Sequence, residues 1–155
     1  MKKIKLDSID QKILNLLAEN ARISNAEIAK QLKMVTSGIF KRIRNLEAAN
    51  VIKRYETRIS HKKLGLGLTL FVWVNSDEPL GETAAGRKIA EFPEVQEVHC
   101  MAGDYWYLLK IRVKDSDDQM NFIRKLGKIN GIRDCRSTMV LNTLKETAAL
   151  TFPED

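Results

Sequence analysis

Apolar residues recur along the first fifty positions at the spacing of an α-helix, whereas beyond about position 68 they run together or alternate as in β-strands. In LDSIDQKILNLLAEN, Ile9, Ile13, Leu16 and Leu17 fall at i, i+4, i+7 and i+8, one stripe of an amphipathic helix, and Asp7 stands where its N-cap belongs. In SNAEIAKQL, Ser24 and Glu27 form the S-x-x-E capping-box pattern ahead of Ile28 and Leu32, which predicts a short second helix. A third helix follows after a few residues, with Ile39, Ile43 and Leu46 on its inner side. The next stretch, VIKRYETRI, alternates β-branched and charged residues, the pattern of a small exposed β-ribbon.

SHKKLGLGL, with Gly65 and Gly67, reads as a connector. After it, LTLFVWV is an unbroken apolar run that suits a buried strand, residues near Thr83 to Phe92 suit a helix, and VQEVHCM is a strand running into a turn at Gly103 and Asp104. YWYLLKIRV is a further strand. Ser116 and Gln119 repeat the capping pattern before Met120, Ile123 and Leu126 at helical spacing, and IRDCRSTMVL closes as a strand. The order β-α-β-β-α-β is the ferredoxin-like arrangement. The predicted class is therefore α+β, with a helical domain over residues 1–62 and a ferredoxin-like domain over residues 66–145. In that arrangement the second and fourth strands lie at opposite sheet edges, which puts Cys100 and Cys135 beyond disulfide reach. Two helices shield only one face of such a sheet. The first strand is apolar on both, with Leu70, Val72 and Val74 set against Thr69, Phe71 and Trp73, so a second copy of the chain is the simplest cover for the open face.

Composition narrows the class of partner. The 155 residues are 44% hydrophobic and 30% charged, the balance of a soluble globular protein. No apolar run reaches the roughly 18 residues of a membrane span, and MKKIKLDSID has a basic start without an apolar signal core, so the expected location is cytoplasmic with no membrane partner. Two cysteines and two histidines, His61 and His99, show no metal-ligand spacing, and no nucleophile elbow, phosphate-binding glycine loop or HExxH occurs. Neither a catalytic residue, a metal nor a cofactor is expected. The net charge of +6 conceals an asymmetry: residues 1–63 carry 15 Lys and Arg against 6 Asp and Glu, and the remainder carry 11 against 14. A basic first half points to a polyanionic partner for that half alone.

The third helix shows where the anion would lie. At about 100° per residue, the side opposite Ile39, Ile43 and Leu46 carries Ser37, Lys41, Arg44, Asn45 and Ala48, with Arg42 on a flank, Gly38 near the amino-terminal end, and no bulky apolar residue. Three helices with a short connection between the second and third, followed by a ribbon bearing Lys53, Arg54 and Arg58, make a winged helix-turn-helix. Its third helix fits the major groove of double-stranded DNA, where an α-helix is accommodated. Thr36, Ser37 and Gly38 are small enough for close approach, and their amides suit a phosphate. Lys41, Arg42 and Arg44 suit phosphate or guanine, and Asn45 suits adenine. Arg22, Ser24, Asn25, Lys53 and Arg54 complete the expected DNA-facing set, as contacts at the start of the second helix and from the wing.

Over nearly the whole chain the sequence resembles the Lrp/AsnC family of transcription regulators. The resemblance is carried by LDSIDQKILNLLAENARISNAEIAKQL, RIRNLEAANVIKRY, KKLGLGL, MAGDYWYLLKIRV and RSTMVL. It implies a DNA-binding domain followed by a ligand-sensing oligomerisation domain, called RAM, with homodimers assembling into higher rings, commonly octamers. The implied effector is a small molecule, usually an amino acid, held between dimers near the loop after the second strand. Gly103, Asp104, Tyr105 and Trp106 are the candidates there. Asp104 suits an amino group and the two aromatic rings an apolar side chain. The family's T-x-T region adds Ser137 and Thr138.

Two departures from the family pattern matter. Glycine before the third helix and serine as its cap are replaced by Lys33 and Val35, so Lys33 is expected to take a positive φ and Thr36 or Ser37 to cap. In the loop, Trp106 replaces the aspartate of Gly-x-x-Asp, which changes the chemistry offered to an effector. A siroheme decarboxylase of the same two-domain architecture and a metabolite sensor without DNA binding are the competing readings.

Overall fold

The computed structural model describes residues 5–153, and the chain divides into two compact units. The first unit comprises the residues up to Arg58 together with the segment from Lys145, and the second spans Ile59–Leu144. The return of the carboxy-terminal segment to the first unit is not visible in the apolar pattern. It is made by polar contacts: the Asn15 side-chain amide donates to the Phe152 carbonyl at 3.0 Å and accepts from the Phe152 N–H at 2.9 Å. Arg58 also donates to the Glu146 carbonyl.

Within the first unit, helix α1 covers Ser8–Glu19, α2 Asn25–Leu32 and α3 Thr36–Ala48. Asp7 caps α1 as expected, accepting from the Asp10 N–H at 2.8 Å, while the Asp10 carboxylate accepts from the Asp7 N–H at 3.3 Å. Ser24 caps α2 by accepting from the Glu27 N–H at 3.1 Å. Lys33 ends α2 in the left-handed region, at φ 55° and ψ 44°. The Met34 N–H then returns to the Ala29 carbonyl at 2.8 Å, and that of Lys33 to Lys30 at 3.3 Å, which together close a Schellman motif. Asn50 closes α3 in the same manner at φ 56°, with the Val51 N–H bonded to the Leu46 carbonyl at 2.9 Å. The apolar stripes converge on Ile13, Ile28, Ala29, Ile39, Ile43 and Leu46, all buried.

Two local expectations fail in this unit. Val35, not Thr36 or Ser37, is the N-cap of α3, and it offers no side-chain acceptor. The tight closure of α2 leaves the chain extended at Val35, whose carbonyl accepts from Gly38 and Ile39 and so starts the helix at Thr36. The β-ribbon also does not form among the described residues: 53–60 have no regular secondary structure and join no strand ladder. KRYETRIS contains no glycine, asparagine or proline to turn a hairpin, and alternation alone supplies no partner strand.

The second unit has β1 at Leu68–Ser76, α4 at Ala84–Ala90, β2 at Val95–Cys100, β3 at Tyr107–Val113, α5 at Ser116–Leu126 and β4 at Ile132–Met139. Its sheet runs β2-β3-β1-β4 with all neighbours antiparallel, the expected ferredoxin-like order. Cys100 and Cys135 accordingly sit on opposite edge strands, and both are free thiols. Leu70, Val72 and Val74 pair with Ile111, Leu109 and Tyr107 and are buried with Ile89, Phe122 and Leu126 from the helices. Phe92 and Phe122 meet edge to face at 6.1 Å. The cap of α5 is Asp115 rather than Ser116, because its carboxylate reaches the N–H groups of both Asp117 and Asp118, at 3.1 and 3.0 Å.

One buried hydroxyl ties this sheet to its first helix. Tyr107 is fully buried and donates from its hydroxyl to Glu78 at 2.5 Å, while Glu78 accepts from the Ala85 N–H in the first turn of α4 at 2.7 Å. Burial, reinforced by the Glu78 carboxylate, pushes the Tyr107 phenol up to about 12. Gly86 is required beside this ring, since a Cβ there would lie 2.5 Å from Tyr107 Cε1.

Candidate functional site

The outer face of α3 is exposed at Ser37, Lys41, Arg44 and Asn45. Among the described residues, no ion pair engages Lys41 or Arg44. With Val35 as cap, no side chain occupies the amides of Thr36 and Ser37, whereas the Gly38 N–H, expected to meet a phosphate, already donates to the Val35 carbonyl at 3.0 Å. The helix therefore presents a cationic face with unused hydrogen-bonding groups at its positive end, an arrangement that attracts phosphate.

Arg42 belongs to a different structure. Its Nη1 lies 2.7 Å from Asp7 Oδ2 and 2.7 Å from Asp10 Oδ1, with the Asp10 side chain only 17% exposed. This fork clamps α3 to the capped end of α1, so the guanidinium expected to meet DNA is already engaged by two carboxylates. The Asp10 amide first, and the Arg42 guanidinium second, hold the Asp7 carboxyl below its ordinary range. Phe40 has no place in the sequence reading: it lies on the flank opposite Arg42, beside the outward side, and is 54% exposed.

Around this helix, Arg22 is exposed, Ser24 is exposed but engaged as the α2 cap, and Asn25 is half-buried. Lys53 and Arg54 are exposed on the irregular segment after α3, where Arg54 pairs with Glu56 at 2.5 Å. Phe40 and Arg44 share a cavity of about 220 Å³ with Leu17, Ile23 and Tyr55, and the Tyr55 hydroxyl donates to Glu47 at 3.1 Å.

In the second unit the expected effector residues are divided. Tyr105 and Thr138 line a cleft of about 280 Å³ together with Trp73 and Arg136. It lies on the sheet face away from the helices, since Trp73 is paired with Arg136, and Phe71 with Thr138, on the side opposite Val72. Ser137 pairs with Val72 and so faces the helix-covered side, which means that Ser137 and Thr138 do not line one pocket. Trp106 packs against the core, and its indole N–H points to the Glu82 carbonyl at 3.4 Å. Gly103, at φ 146°, and Asp104 are exposed at the loop tip outside the cleft. Trp73 and Arg136 were legible: counting alternate positions from Thr138 along β4 reaches Arg136, and pairing across reaches Trp73.

Among the described residues no helix is long and apolar enough to cross a membrane, and no group of three or more His, Cys, Asp or Glu could hold a metal ion.

Residues 6–53 match the family model for a winged helix-turn-helix DNA-binding domain, and residues 69–150 that for the Lrp/AsnC ligand-binding domain. The chain is 34% identical over 148 residues to the HTH-type transcriptional regulator FL11 of Pyrococcus horikoshii, covering 96% of this chain and 97% of that protein. It is also 34% identical over 154 residues to the transcriptional regulator AzlB of Bacillus subtilis, covering 97% and 98%. The crystal structure of a Neisseria meningitidis transcriptional regulator in complex with L-Met superposes with a TM-score of 0.88 at 28% identity, covering 94% of this chain and 96% of that one. With a helix-turn-helix unit whose third helix turns a cationic face outward, joined to a ferredoxin-like unit and matched along its length by such regulators, the chain is a member of the Lrp/AsnC family of transcriptional regulators.

Proposed function

We propose that this regulator seats α3 in the major groove with Ser37, Lys41, Arg44 and Asn45 facing DNA, flanked by phosphate contacts from Arg22, Lys53 and the amides of Thr36 and Ser37. The observation that carries this reading is the difference between neighbouring cations: Arg42 is ion-paired with α1, whereas Lys41 and Arg44 on the outward side are unpaired and exposed. Ser24, Asn25 and Arg54 have secondary places, because Ser24 is engaged as the α2 cap, Asn25 is half-buried and Arg54 is paired. Fluorescence anisotropy on promoter duplexes over a salt series tests it. Affinity should fall steeply with salt, by counterion release from the phosphates. A flat salt response would favour a metabolite sensor that does not bind DNA.

The second unit takes a small effector, and we infer that it is an amino acid, since the Neisseria meningitidis relative forms a complex with L-Met. Tyr105, Thr138, Trp73 and Arg136 provide aromatic walls, a hydroxyl and a cation suited to a carboxylate, and Asp104 on the adjoining loop suits an amino group. Thermal-shift measurements with the twenty amino acids should single out one or a few stabilisers. Self-association is inferred from the open sheet face, where Phe71 and Trp73 are only partly buried. Light scattering should then show dimers or larger assemblies, and particles of only 17.7 kDa at micromolar concentration would remove that inference.

A further inference from the structure

Phe40 is the feature of α3 that the DNA-binding reading leaves unexplained. Its ring is 54% exposed on a helix whose other outward residues are small, polar or charged. Leu17, Ile23 and Tyr55 wall it on one side, and the remainder of the side chain is open to water. Phe40 also has a place in a row. Thr36, Phe40 and Arg44 lie at i, i+4 and i+8, one above another on the helix surface and next to the row of Ser37 and Lys41. Thr36 offers a hydroxyl and a methyl, Phe40 an apolar face, and Arg44 an unpaired guanidinium. Glu47, the acid on this side of the helix, is held by the Tyr55 hydroxyl near its carboxy-terminal end, away from the first turns.

The major groove presents one apolar landmark, the C5-methyl group of thymine, and aromatic or methyl-bearing side chains are its partners. We propose that Phe40 is a specificity-determining residue that packs against a thymine C5-methyl, while Arg44 in the same row meets a neighbouring guanine or phosphate. The assignment rests on the DNA-binding reading above and deepens it by naming a base feature that the protein distinguishes.

The test uses the full chain and duplexes enriched by it from a random pool. Each thymine of an enriched site is replaced singly by deoxyuridine, which removes only the methyl group. Wild-type affinity should fall about fourfold at one or two positions, the factor for exposing one methylene-sized group. Phe40→Ala should bind the parent duplex less well and show no further loss at those positions, whereas Lys41→Ala should keep the full methyl response. Photocrosslinking from 5-iododeoxyuridine at a sensitive position, performed on the wild-type protein, should label the peptide containing Phe40. An enriched duplex with no methyl-sensitive position, an equal deoxyuridine penalty in Phe40→Ala and wild type, or crosslinks confined to another segment would each overturn the assignment while leaving DNA binding intact. Failure to enrich any duplex would remove the DNA-binding reading, and this inference with it.

Discussion

The two units use charge differently. In the helical unit Lys41 and Arg44 stand outward without carboxylate partners, although Arg42 on the same helix is tied down by Asp7 and Asp10 and Arg54 pairs with Glu56. In the sheet unit Lys110 pairs with Glu97 at 3.1 Å, Lys125 with Glu94, and Arg133 with Asp77. The contrast teaches that a count of basic residues does not locate a polyanion site. What locates it is which cations the fold leaves without a partner, since an exposed unpaired cation can exchange counterions for phosphate and a clamped one cannot do so without breaking a contact.

If that contrast is right, binding and stability should separate by unit. The largest effect is expected from the double substitution Lys41→Ala with Arg44→Ala, which should weaken binding to every duplex and make the salt dependence shallower by about two. Its melting temperature should stay near that of the parent, and calorimetry beside anisotropy checks both halves. Gly86→Ala is the counterpart in the sheet unit. The added Cβ meets the Tyr107 ring at 2.5 Å, and overpacking of this kind costs about 1–3 kcal/mol. Denaturant unfolding should show that loss while the salt slope of DNA binding is unchanged.

Arg42→Ala examines the boundary between the two behaviours. It should destabilise the helical unit by about 1 kcal/mol, discounted for partial exposure, and leave the salt slope as it was. An equally shallow slope in Arg42→Ala and Lys41→Ala would erase the distinction drawn between these neighbours. The acid limb supplies a second readout. The folded Asp7 carboxyl lies below its ordinary value of 3.8, so its contribution is present above that value and is lost as pH falls through the depressed one. Without Arg42 the acid unfolding of the helical unit should begin at higher pH, although the Asp10 amide, the larger cause, retains part of the shift. The smallest change is expected from Lys33→Gly. Relief of the left-handed backbone at φ 55° should stabilise the helical unit by about 1 kcal/mol or less, read as a rise in melting temperature.

Much of this architecture was legible in the amino-acid order. Ile9, Ile13, Leu16 and Leu17 identify α1, Asp7 its cap, and the position before α3 a residue forced to positive φ, because helical period, capping and chain reversal act over a few residues. The unbroken apolar run from Leu70 to Val74 likewise announces a sheet strand with apolar residues on both faces. The candidate site was legible only in part. Ser37, Lys41, Arg44 and Asn45 follow from the helical period alone, whereas the role of Arg42 depends on carboxylates 32 and 35 residues earlier. Separation of Ser137 from Thr138 was available from strand alternation, which the family motif obscured.

By itself the sequence determined the helices and the sheet strands, their order, the caps of the first two helices and the excess of positive charge in the first half, since each depends on neighbours within one turn or one pleat or on composition alone. Tertiary structure alone decided that 53–60 has no strand partner among the described residues, that the segment from Lys145 returns to Asn15, that Arg42 is clamped and that Phe40 is left partly exposed. Those outcomes depend on which distant groups arrive within hydrogen-bonding or van der Waals range, and local spacing carries no information about that arrival.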